Sequence, residues 1–345
     1  MAETSCSISE GGSAADEFYF QWHITERCNK HCRHCYQDGT HSDELPLEQL
    51  GRILDLMSEA VTKWGRQGTL SFTGGEPFLR REVLFDLMRR VDSNEAFAYY
   101  DILTNGSLVD DGTAAKLTAF GKLRRVQVSL EGSTPQVNDG IRGDGSFDET
   151  LKAIRTMKRH GLTVSVMTTV SRWNAHDVLH IVDLLESEGV DAMSIERLVP
   201  EGHGADMRTQ MLSPEELRDL YERLYARALE TARPRLLLYR PLFALVAPDD
   251  PTVGALCSVG NNALTVMPDG TVYPCRRLPI SIGNILEDGL FRIWYDSRLL
   301  WRIRDPHNLK GKCNDCPILT SCRGCRAMAY FASGDYLAED PQCWR

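Results

Sequence analysis

The sequence predicts an α/β protein: a partial (β/α)6 TIM-like barrel followed by a small C-terminal cysteine-rich α+β domain. Short runs typical of β-strands alternate with helical runs between positions 18 and 233, and this alternation favours a parallel sheet with helical crossovers. Six such units are too few to close an eight-stranded barrel. From position 257 onward, cysteine-bearing loops replace the alternation.

Six runs are predicted as strands, because they are rich in apolar and β-branched residues and end in polar or glycine-containing segments. In folds of this class the chemistry lies at the C-terminal ends of the strands, so we expect the active site on that side. The strands are expected over 18–24, 69–73, 99–104, 125–130, 162–170 and 190–198, and the polar segments over 28–35, 73–77, 104–106, 129–132 and 197–202.

Apolar residues at helical spacing predict helices between these strands. The last helix of the barrel has a clear start, with Ser213 as its cap and Pro214 at the first helical position. The preceding helices include those expected over 47–61, 83–91, 147–160 and 174–188.

The C-terminal region begins with a predicted hairpin, because Asp269-Gly270 separates two β-type runs. One amphipathic helix is expected over Leu286–Ile303. The remaining loops hold cysteines and little apolar surface, so this domain is expected to depend on metal for its stability. The predicted organisation is a disordered tail (1–17), the barrel (18–233), a bridging region (234–256) and the cysteine-rich domain (257–345).

Composition limits the compartment and the partners. A net charge of −9 argues against nucleic acid, which requires a basic face. No apolar run reaches the ~18 residues of a membrane-spanning helix, and the first residues lack the features of a secretion signal. We therefore expect a cytoplasmic protein that binds neither nucleic acid nor a membrane. In that compartment clustered cysteines indicate metal, whereas Cys6, alone in the tail, is expected to be a free thiol.

The first cysteine group follows the first strand directly. Cys28, Cys32 and Cys35 can reach three irons of a four-iron cluster and leave the fourth iron open for substrate. The alternative is a zinc site whose fourth ligand is one of three nearby histidines: His23, His31 or His34.

This motif, followed by Thr73-Gly74-Gly75-Glu76-Pro77 after the second strand, resembles the radical SAM superfamily. The resemblance implies that the open iron chelates the methionine part of S-adenosylmethionine (SAM), with the Gly-Gly-Glu-Pro segment against its ammonium group. The chemistry agrees, since glycine permits close backbone approach and glutamate offers a charge-assisted acceptor.

Further positions match the family more loosely. Asn105 resembles the end of the family's third strand, Ser129 and Glu131 resemble its ribose contacts, and Arg142 stands where related enzymes carry an arginine near the SAM carboxylate. Each has an alternative interpretation as a turn residue or a member of a surface ion pair.

The second cysteine group resembles the SPASM domain, which extends many radical SAM enzymes. Two zinc knuckles are the alternative, but the five residues between Cys316 and Cys322 are few for a zinc ribbon. Cys322 and Cys325 are separated by two residues where the family often has three. The resemblance implies three [4Fe-4S] clusters in total and an open iron in the inner auxiliary one. It assigns Cys313, Cys316, Cys322 and Cys343 to the outer auxiliary cluster, and Cys257, Cys275 and Cys325 to the inner one.

The implied reaction is reductive cleavage of SAM to a 5′-deoxyadenosyl radical that abstracts a substrate hydrogen. The auxiliary clusters would pass electrons or take one from the product radical. A small electron donor such as flavodoxin or ferredoxin is the implied partner. A non-catalytic electron-transfer protein is the remote alternative, and it would have no use for Gly74-Gly75-Glu76.

For the substrate, the SPASM resemblance implies first a ribosomally made peptide that is crosslinked, epimerised or similarly modified. Such a peptide is expected to arrive with a separate leader-peptide carrier or to dock directly. The second candidate is a tetrapyrrole, because 324–330 and 334–341 are similar to the ends of enzymes that trim tetrapyrrole side chains in haem and haem d1 synthesis, as well as of quinone-cofactor peptide maturases. Sulfatase maturation is less favoured, since Arg276 stands where those relatives carry an acid after the cysteine.

No catalytic acid or base is predicted. Arg276 and Arg277 could meet a substrate carboxylate or form structural ion pairs. The residues after the sixth strand are candidates either for the mouth of the site or for surface pairs: Glu196, Arg197, Glu201 and His203.

Overall fold

The computed structural model of the protein describes residues 16–37, 44–250, 252–254 and 257–345. Its nine strands form one open sheet in the order β7-β6-β5-β4-β3-β2-β1-β8-β9. The predicted tail and Cys6 lie outside the described residues, except for Asp16 and Glu17, and Glu17 begins the first strand. The strands are β1 (Glu17–His23), β2 (Gln67–Thr73), β3 (Phe97–Thr104), β4 (Leu123–Ser129), β5 (Val164–Val170), β6 (Ala192–Arg197), β7 (Arg235–Leu236), β8 (Ala263–Val266) and β9 (Val272–Tyr273).

The first six strands pair in parallel and in sequence order, which confirms the predicted α/β fold. The helices are α1 (Leu47–Lys63), α2 (Arg81–Asp92), α3 (Asp111–Leu117), α4 (Pro135–Arg142), α5 (Ser146–Arg159), α6 (Val178–Ser187), α7 (Pro214–Glu230), α8 (Ile285–Asp288), α9 (Leu290–Asp296), α10 (Arg298–Arg304) and α11 (Arg326–Ser333). Short 3-10 helices cover Pro77–Arg80, Gly202–Gln210, Pro241–Leu245, Pro306–Asn308 and Gly311–Cys313. None of the helices in the described ranges has both the length and the apolar character needed to span a bilayer.

Strand β1 shows why this sheet has one apolar and one polar face. Phe18, Phe20 and Trp22 are fully buried in the hydrophobic core, whereas Tyr19 on the opposite face donates a hydrogen bond to Ser71 Oγ at 3.0 Å. Alternate residues of a strand point to opposite faces, so the apolar set packs against the surrounding helices. The polar set faces the inside of the partial barrel.

Helix α7 starts as predicted, with a capping box. Ser213 Oγ accepts a hydrogen bond from Glu216 N at 3.1 Å, and the Glu216 carboxylate accepts one from Ser213 N at 2.6 Å. Helix α6 starts later than predicted, because Asn174 Oδ1 accepts a hydrogen bond from Ser171 N at 2.8 Å and holds the preceding turn. Asparagine competes with helical backbone bonds in this way.

The single helix predicted over 286–303 is wrong. The segment forms three short helices, α8, α9 and α10, broken at Gly289 and Ser297. Gly289 has a φ of +72°, which a residue inside an α-helix does not adopt. Ser297 is extended and caps α10 by accepting a hydrogen bond from Leu300 N at 3.3 Å.

The C-terminal hairpin is part of the barrel sheet. β8 pairs in parallel with β1, from Tyr19 opposite Ala263 to Trp22 opposite Val266. β9 then pairs with β8 antiparallel, as the Asp269-Gly270 turn predicted. Backbone hydrogen bonds therefore connect the cysteine-rich region directly to the first strand.

Candidate cluster and cofactor site

The loop after β1 carries the first three cysteines. Cys35 N donates a hydrogen bond to Cys32 O at 3.1 Å, which closes a turn. The sulfur of Cys28 accepts hydrogen bonds from Lys30 N at 3.4 Å and Asn105 Nδ2 at 3.8 Å. Burial raises the pKa of the Cys35 thiol to about 11. Hydrogen bonds to cysteine sulfur tune iron–sulfur clusters, so these donors fit a three-thiolate cluster site.

Among the described residues, no three His, Cys, Asp or Glu side chains converge on a point that could hold one metal ion. A four-iron cluster takes its thiolates on separate irons. Its ligands therefore stand around a larger body than a single ion.

The Gly-Gly-Glu segment packs directly on the chain that enters this loop. Gly75 N donates to Thr25 O at 3.0 Å, and Glu76 N donates to Arg27 O at 2.9 Å. A Cβ on Gly74 would lie 2.2 Å from Thr25 O, and one on Gly75 would lie 2.4 Å from Arg27 O. Only glycine fits at both positions without displacing backbone.

Glu76 is fully buried below this segment. Its carboxylate accepts hydrogen bonds from Phe78 N at 3.1 Å, from Asn105 N at 2.8 Å and from Thr104 Oγ1 at 2.8 and 2.9 Å. Burial raises its pKa, and these bonds oppose that effect. The structure thus uses Glu76 to join β2 to the end of β3, and its contact with the SAM ammonium stays a prediction.

Asn105 extends the same network to the cysteine loop. Besides Cys28, its Nδ2 donates to Asn29 Oδ1 at 3.0 Å, and its Oδ1 accepts from Ser107 N at 2.9 Å. The end of β3 is therefore linked by hydrogen bonds to the segment between the first two cysteines.

A second buried carboxylate lies on the other side of the cysteine loop. Glu131 accepts hydrogen bonds from His34 Nε2 at 3.0 Å, Arg142 Nη1 at 3.2 Å and Thr169 N at 2.7 Å. Although burial opposes it, the charges of His34 and Arg142 hold the pKa of Glu131 below its usual value. The arginine is itself buried beside the thiols of Cys28 and Cys32.

Glu131 and Arg142 thus pair with each other beside the first cysteine group. Ser129 ends β4 and is half-buried. Contacts of these side chains with SAM stay a prediction, as does the contact expected for Asn105.

Four of the C-terminal cysteines line one pocket. Three nitrogens donate to their sulfurs: Arg345 Nη1 to Cys316 at 3.1 Å, Gly324 N to Cys322 at 3.4 Å and Arg326 Nη2 to Cys313 at 3.9 Å. These donors fit a four-thiolate cluster. The cysteines are those that the resemblance assigns to the outer cluster: Cys313, Cys316, Cys322 and Cys343.

The other three cysteines also lie together. Burial, followed by the charges of Cys325 and Cys275, raises the pKa of Cys257 to about 12. Asn261 and Asn262 donate to backbone: to Cys257 O at 2.9 Å and to Glu17 O at 3.4 Å. This set fits the three ligands expected for the inner cluster.

Arginines gather beside Cys275, at the mouth of the barrel. Arg277 Nη1 lies 2.8 Å and Arg240 Nε 2.5 Å from the same carboxylate, that of Glu196. Arg276 packs over the ring of Tyr36 at 4.6 Å and lies 3.9 Å from Glu26 Oε1. These contacts bring the loop of Cys275 against the loop of Cys35.

The other residues predicted after β6 have different roles. Arg197 is buried and donates two hydrogen bonds to the Asp340 carboxylate, at 2.8 and 2.9 Å. His203 is exposed, and its backbone N donates to Gln37 O at 3.1 Å. Sequence reasoning missed Arg240 and Tyr36. Tyr36 had one usable signal, an aromatic residue directly after the third cysteine.

A partial barrel with three cysteines after its first strand and seven more in the appended region defines an iron–sulfur enzyme. The chain belongs to the radical SAM superfamily. Residues 22–185 match the Radical SAM superfamily, and 257–317 match the SPASM iron-sulfur cluster-binding domain. Both resemblances are thereby confirmed, as are the predicted enzyme class and the use of SAM and iron–sulfur clusters.

Two relatives and one solved structure are similar to this chain over most of its length. The chain is 31% identical to an AdoMet-dependent heme synthase of Methanosarcina barkeri over 341 residues, which cover 93% of this chain and 95% of the relative. It is 31% identical to the mycofactocin maturase MftC of Mycolicibacterium smegmatis, covering 93% and 81%. The fold matches native anSMEcpe with bound AdoMet at a TM-score of 0.74, with 18% identity and 94% of each chain covered.

Proposed function

We propose that this radical SAM enzyme modifies a propionate side chain of a tetrapyrrole. The observation that carries the proposal is the group of arginines between the two cysteine-bearing loops. Arg240 and Arg277 share the single carboxylate of Glu196, and Arg276 lies nearly 4 Å from Glu26. Guanidinium groups with donors to spare recognise carboxylates. The similarity to a heme synthase supports the same substrate class.

The residues of the chain divide the work as follows. Cys28, Cys32 and Cys35 would hold the first cluster, and the glycine segment would bring backbone against SAM. When bound, the cluster and SAM supply a 5′-deoxyadenosyl radical that abstracts a substrate hydrogen. Glu131 and Arg142 would keep the cysteine loop in place. The arginines would orient the substrate toward the first cluster.

The other two cysteine sets would hold the outer and inner auxiliary clusters, which makes three clusters in all. A small electron donor of the flavodoxin or ferredoxin type would supply the reducing electron. The proposed three-cluster enzyme therefore takes its electron from outside and its hydrogen from the substrate.

A ribosomally made peptide, the first prediction from sequence, is the second candidate. The identity to a mycofactocin maturase favours it, and a peptide also carries carboxylates that the same arginines would recognise. Such a peptide would reach the site through a separate leader-peptide carrier or by direct docking.

The test is the formation of 5′-deoxyadenosine from SAM by the anaerobically reconstituted, dithionite-reduced enzyme. We expect a propionate-bearing porphyrin such as coproporphyrin III to stimulate it and to change in mass, and the Cys28/Cys32/Cys35→Ala variant to form none. Stimulation by peptides but not by the porphyrin would establish the second candidate. Stimulation by neither, with SAM still cleaved, would reject both substrate classes.

A further inference from the structure

His23 is a histidine whose burial the described fold does not explain. It ends β1, shortly before the first cysteine loop, and it is fully buried. Neither ring nitrogen has a hydrogen-bond partner among the described residues. Buried polar groups in folded proteins are normally hydrogen-bonded. Two unmet nitrogens on one ring therefore indicate that something binds there.

Arg276 has an unmet group at the same end of β1, because its guanidinium lies 3.9 Å from Oε1 of Glu26, three residues after His23. It is 6% exposed, and its Nε has no hydrogen-bond partner in the part of the chain that the structure describes. One face of its guanidinium is covered by Tyr36. Burial, and then the nearby charge of Arg276, hold the pKa of His23 well below its ordinary value. His23 is therefore neutral and keeps one N–H donor.

A permanent cation beside a neutral imidazole is complementary to an anion with more than one oxygen. A carboxylate would accept from the guanidinium with one oxygen and from the imidazole N–H with the other. Arg277 differs, because Glu196 already lies 2.8 Å from it. Of these two neighbouring arginines, only Arg276 is among the described residues with an unmet buried nitrogen.

We propose that His23 and Arg276 together bind one carboxylate of the substrate, and so hold the substrate between the first cysteine loop and the loop of Cys275. This inference rests on the proposed function and names its anchoring residues. SAM also carries a carboxylate, so the experiment must separate the two sources.

The test compares the affinity of the reconstituted, SAM-loaded enzyme for coproporphyrin III and for its tetramethyl ester, in which every carboxylate is blocked. We expect the acid to bind the wild type at least tenfold more tightly than the ester. Arg276→Gln should remove that preference by weakening the acid alone. Arg292→Gln, the same change at an exposed guanidinium on α9, should keep it.

His23→Leu separates binding from folding. If His23 is an anchor, its replacement should lower the affinity for the acid several-fold. The ligand-free variant should melt at the same or a higher temperature than the wild type, because an unsatisfied buried polar group has been removed. A lower melting temperature with an unchanged acid-to-ester ratio would overturn the anchor role and leave His23 a structural residue.

The remaining outcomes are distinct. Equal binding of acid and ester by the wild type would overturn the carboxylate anchor but leave the proposed function standing. No porphyrin binding at all would overturn the proposed function itself. A loss of SAM affinity in Arg276→Gln, with porphyrin binding intact, would assign the two residues to the SAM carboxylate and overturn the proposal.

Discussion

At the residue scale, Glu76 is a motif side chain whose carboxylate is hydrogen-bonded entirely within the protein. Its two carboxylate oxygens accept from Phe78, Thr104 and Asn105, so the end of β3 depends on a charge at the end of β2. A buried carboxylate is stable only when such donors compensate its lost hydration. The loop that carries the two glycines is positioned by the same bonds.

We expect Glu76→Gln to lower the free energy of unfolding by about 2–3 kcal/mol, because the amide replaces an acceptor by a donor that faces the backbone N–H of Asn105 or Phe78. SAM affinity should fall at least tenfold. Both effects can be measured by denaturant unfolding and by titration calorimetry under anaerobic conditions.

Thr104→Ser is the control, since it keeps the hydroxyl that donates to Glu76 and accepts from Gly106 N. It should cost about 1 kcal/mol or less. Equal losses for the two variants would mean that the charge of Glu76 is not what holds the end of β3.

At the scale of elements, the glycine segment acts by its closeness to the chain before the cysteines. Gly75→Ala would place a methyl group 2.4 Å from the carbonyl oxygen of Arg27. We expect the two loops to separate, with at least a tenfold loss of SAM affinity in calorimetric titration and a lower yield of the first cluster by iron analysis.

Gly121→Ala is the matched control, because nothing lies within 4 Å of a Cβ at that position. Its SAM affinity should stay within twofold of the wild type. Equal effects of the two substitutions would show that close packing at Gly75 is unimportant.

The predictions of strands and helices agree with the structure where the local sequence pattern determines it. The strands were found to within about two residues at each end, because their apolar faces repeat with period two. The prediction of one helix over 286–303 was wrong, because the helical spacing of apolar residues continues across Gly289 and Ser297, where the helix is interrupted. Helices α3 and α4 were covered only by the general expectation of helices between the strands and were given no bounds, because each is short and shows little periodicity.

The sequence likewise predicted those parts of the candidate site that depend on local pattern. The cysteine groups and the glycine segment are local in sequence, so spacing reveals them. The contacts of Arg276 with Glu26 and of Arg240 with Glu196 join residues far apart in the chain. No periodicity or spacing rule reports such contacts, which follow from the way β8 continues the sheet.

At the scale of the whole molecule, the C-terminal residues are anchored to the barrel by a buried ion pair. Arg197, at the end of β6, lies 2.8 Å from Asp340, and both side chains are almost inaccessible. The Asp340 carboxylate also accepts from Cys325 N at 2.7 Å. The barrel and Cys325 are thus joined through one carboxylate.

Arg197→Leu should lower the free energy of unfolding by about 3–5 kcal/mol, because it leaves the charge of Asp340 buried without a partner. Adding Asp340→Asn should recover part of the loss, since asparagine keeps an acceptor without the charge. Denaturant unfolding of the two variants checks this. A double variant no more stable than the single one would show that the charge of Asp340 is not the cause.

The number of clusters is a second prediction at this scale. Three four-iron clusters predict about 12 iron atoms per chain, falling to about 8 in Cys28/Cys32/Cys35→Ala, which should not cleave SAM. Cys313→Ala/Cys316→Ala should also hold about 8 but still bind SAM. Iron and sulfide analysis after anaerobic reconstitution measures both. About 4 irons together with bound zinc in the wild type would support the zinc-knuckle alternative for the C-terminal cysteines.

The pairing of β8 with β1 also prevents self-association through the edge of the sheet. Without β8, the row of Phe18, Phe20 and Trp22 would belong to an edge strand with unpaired backbone N–H and C=O groups, which is a template for joining another copy. A chain cut before position 257 is therefore expected to self-associate, as light scattering against the full-length protein would reveal. The C-terminal cysteine-rich region would in that case also serve as a permanent cover against aggregation.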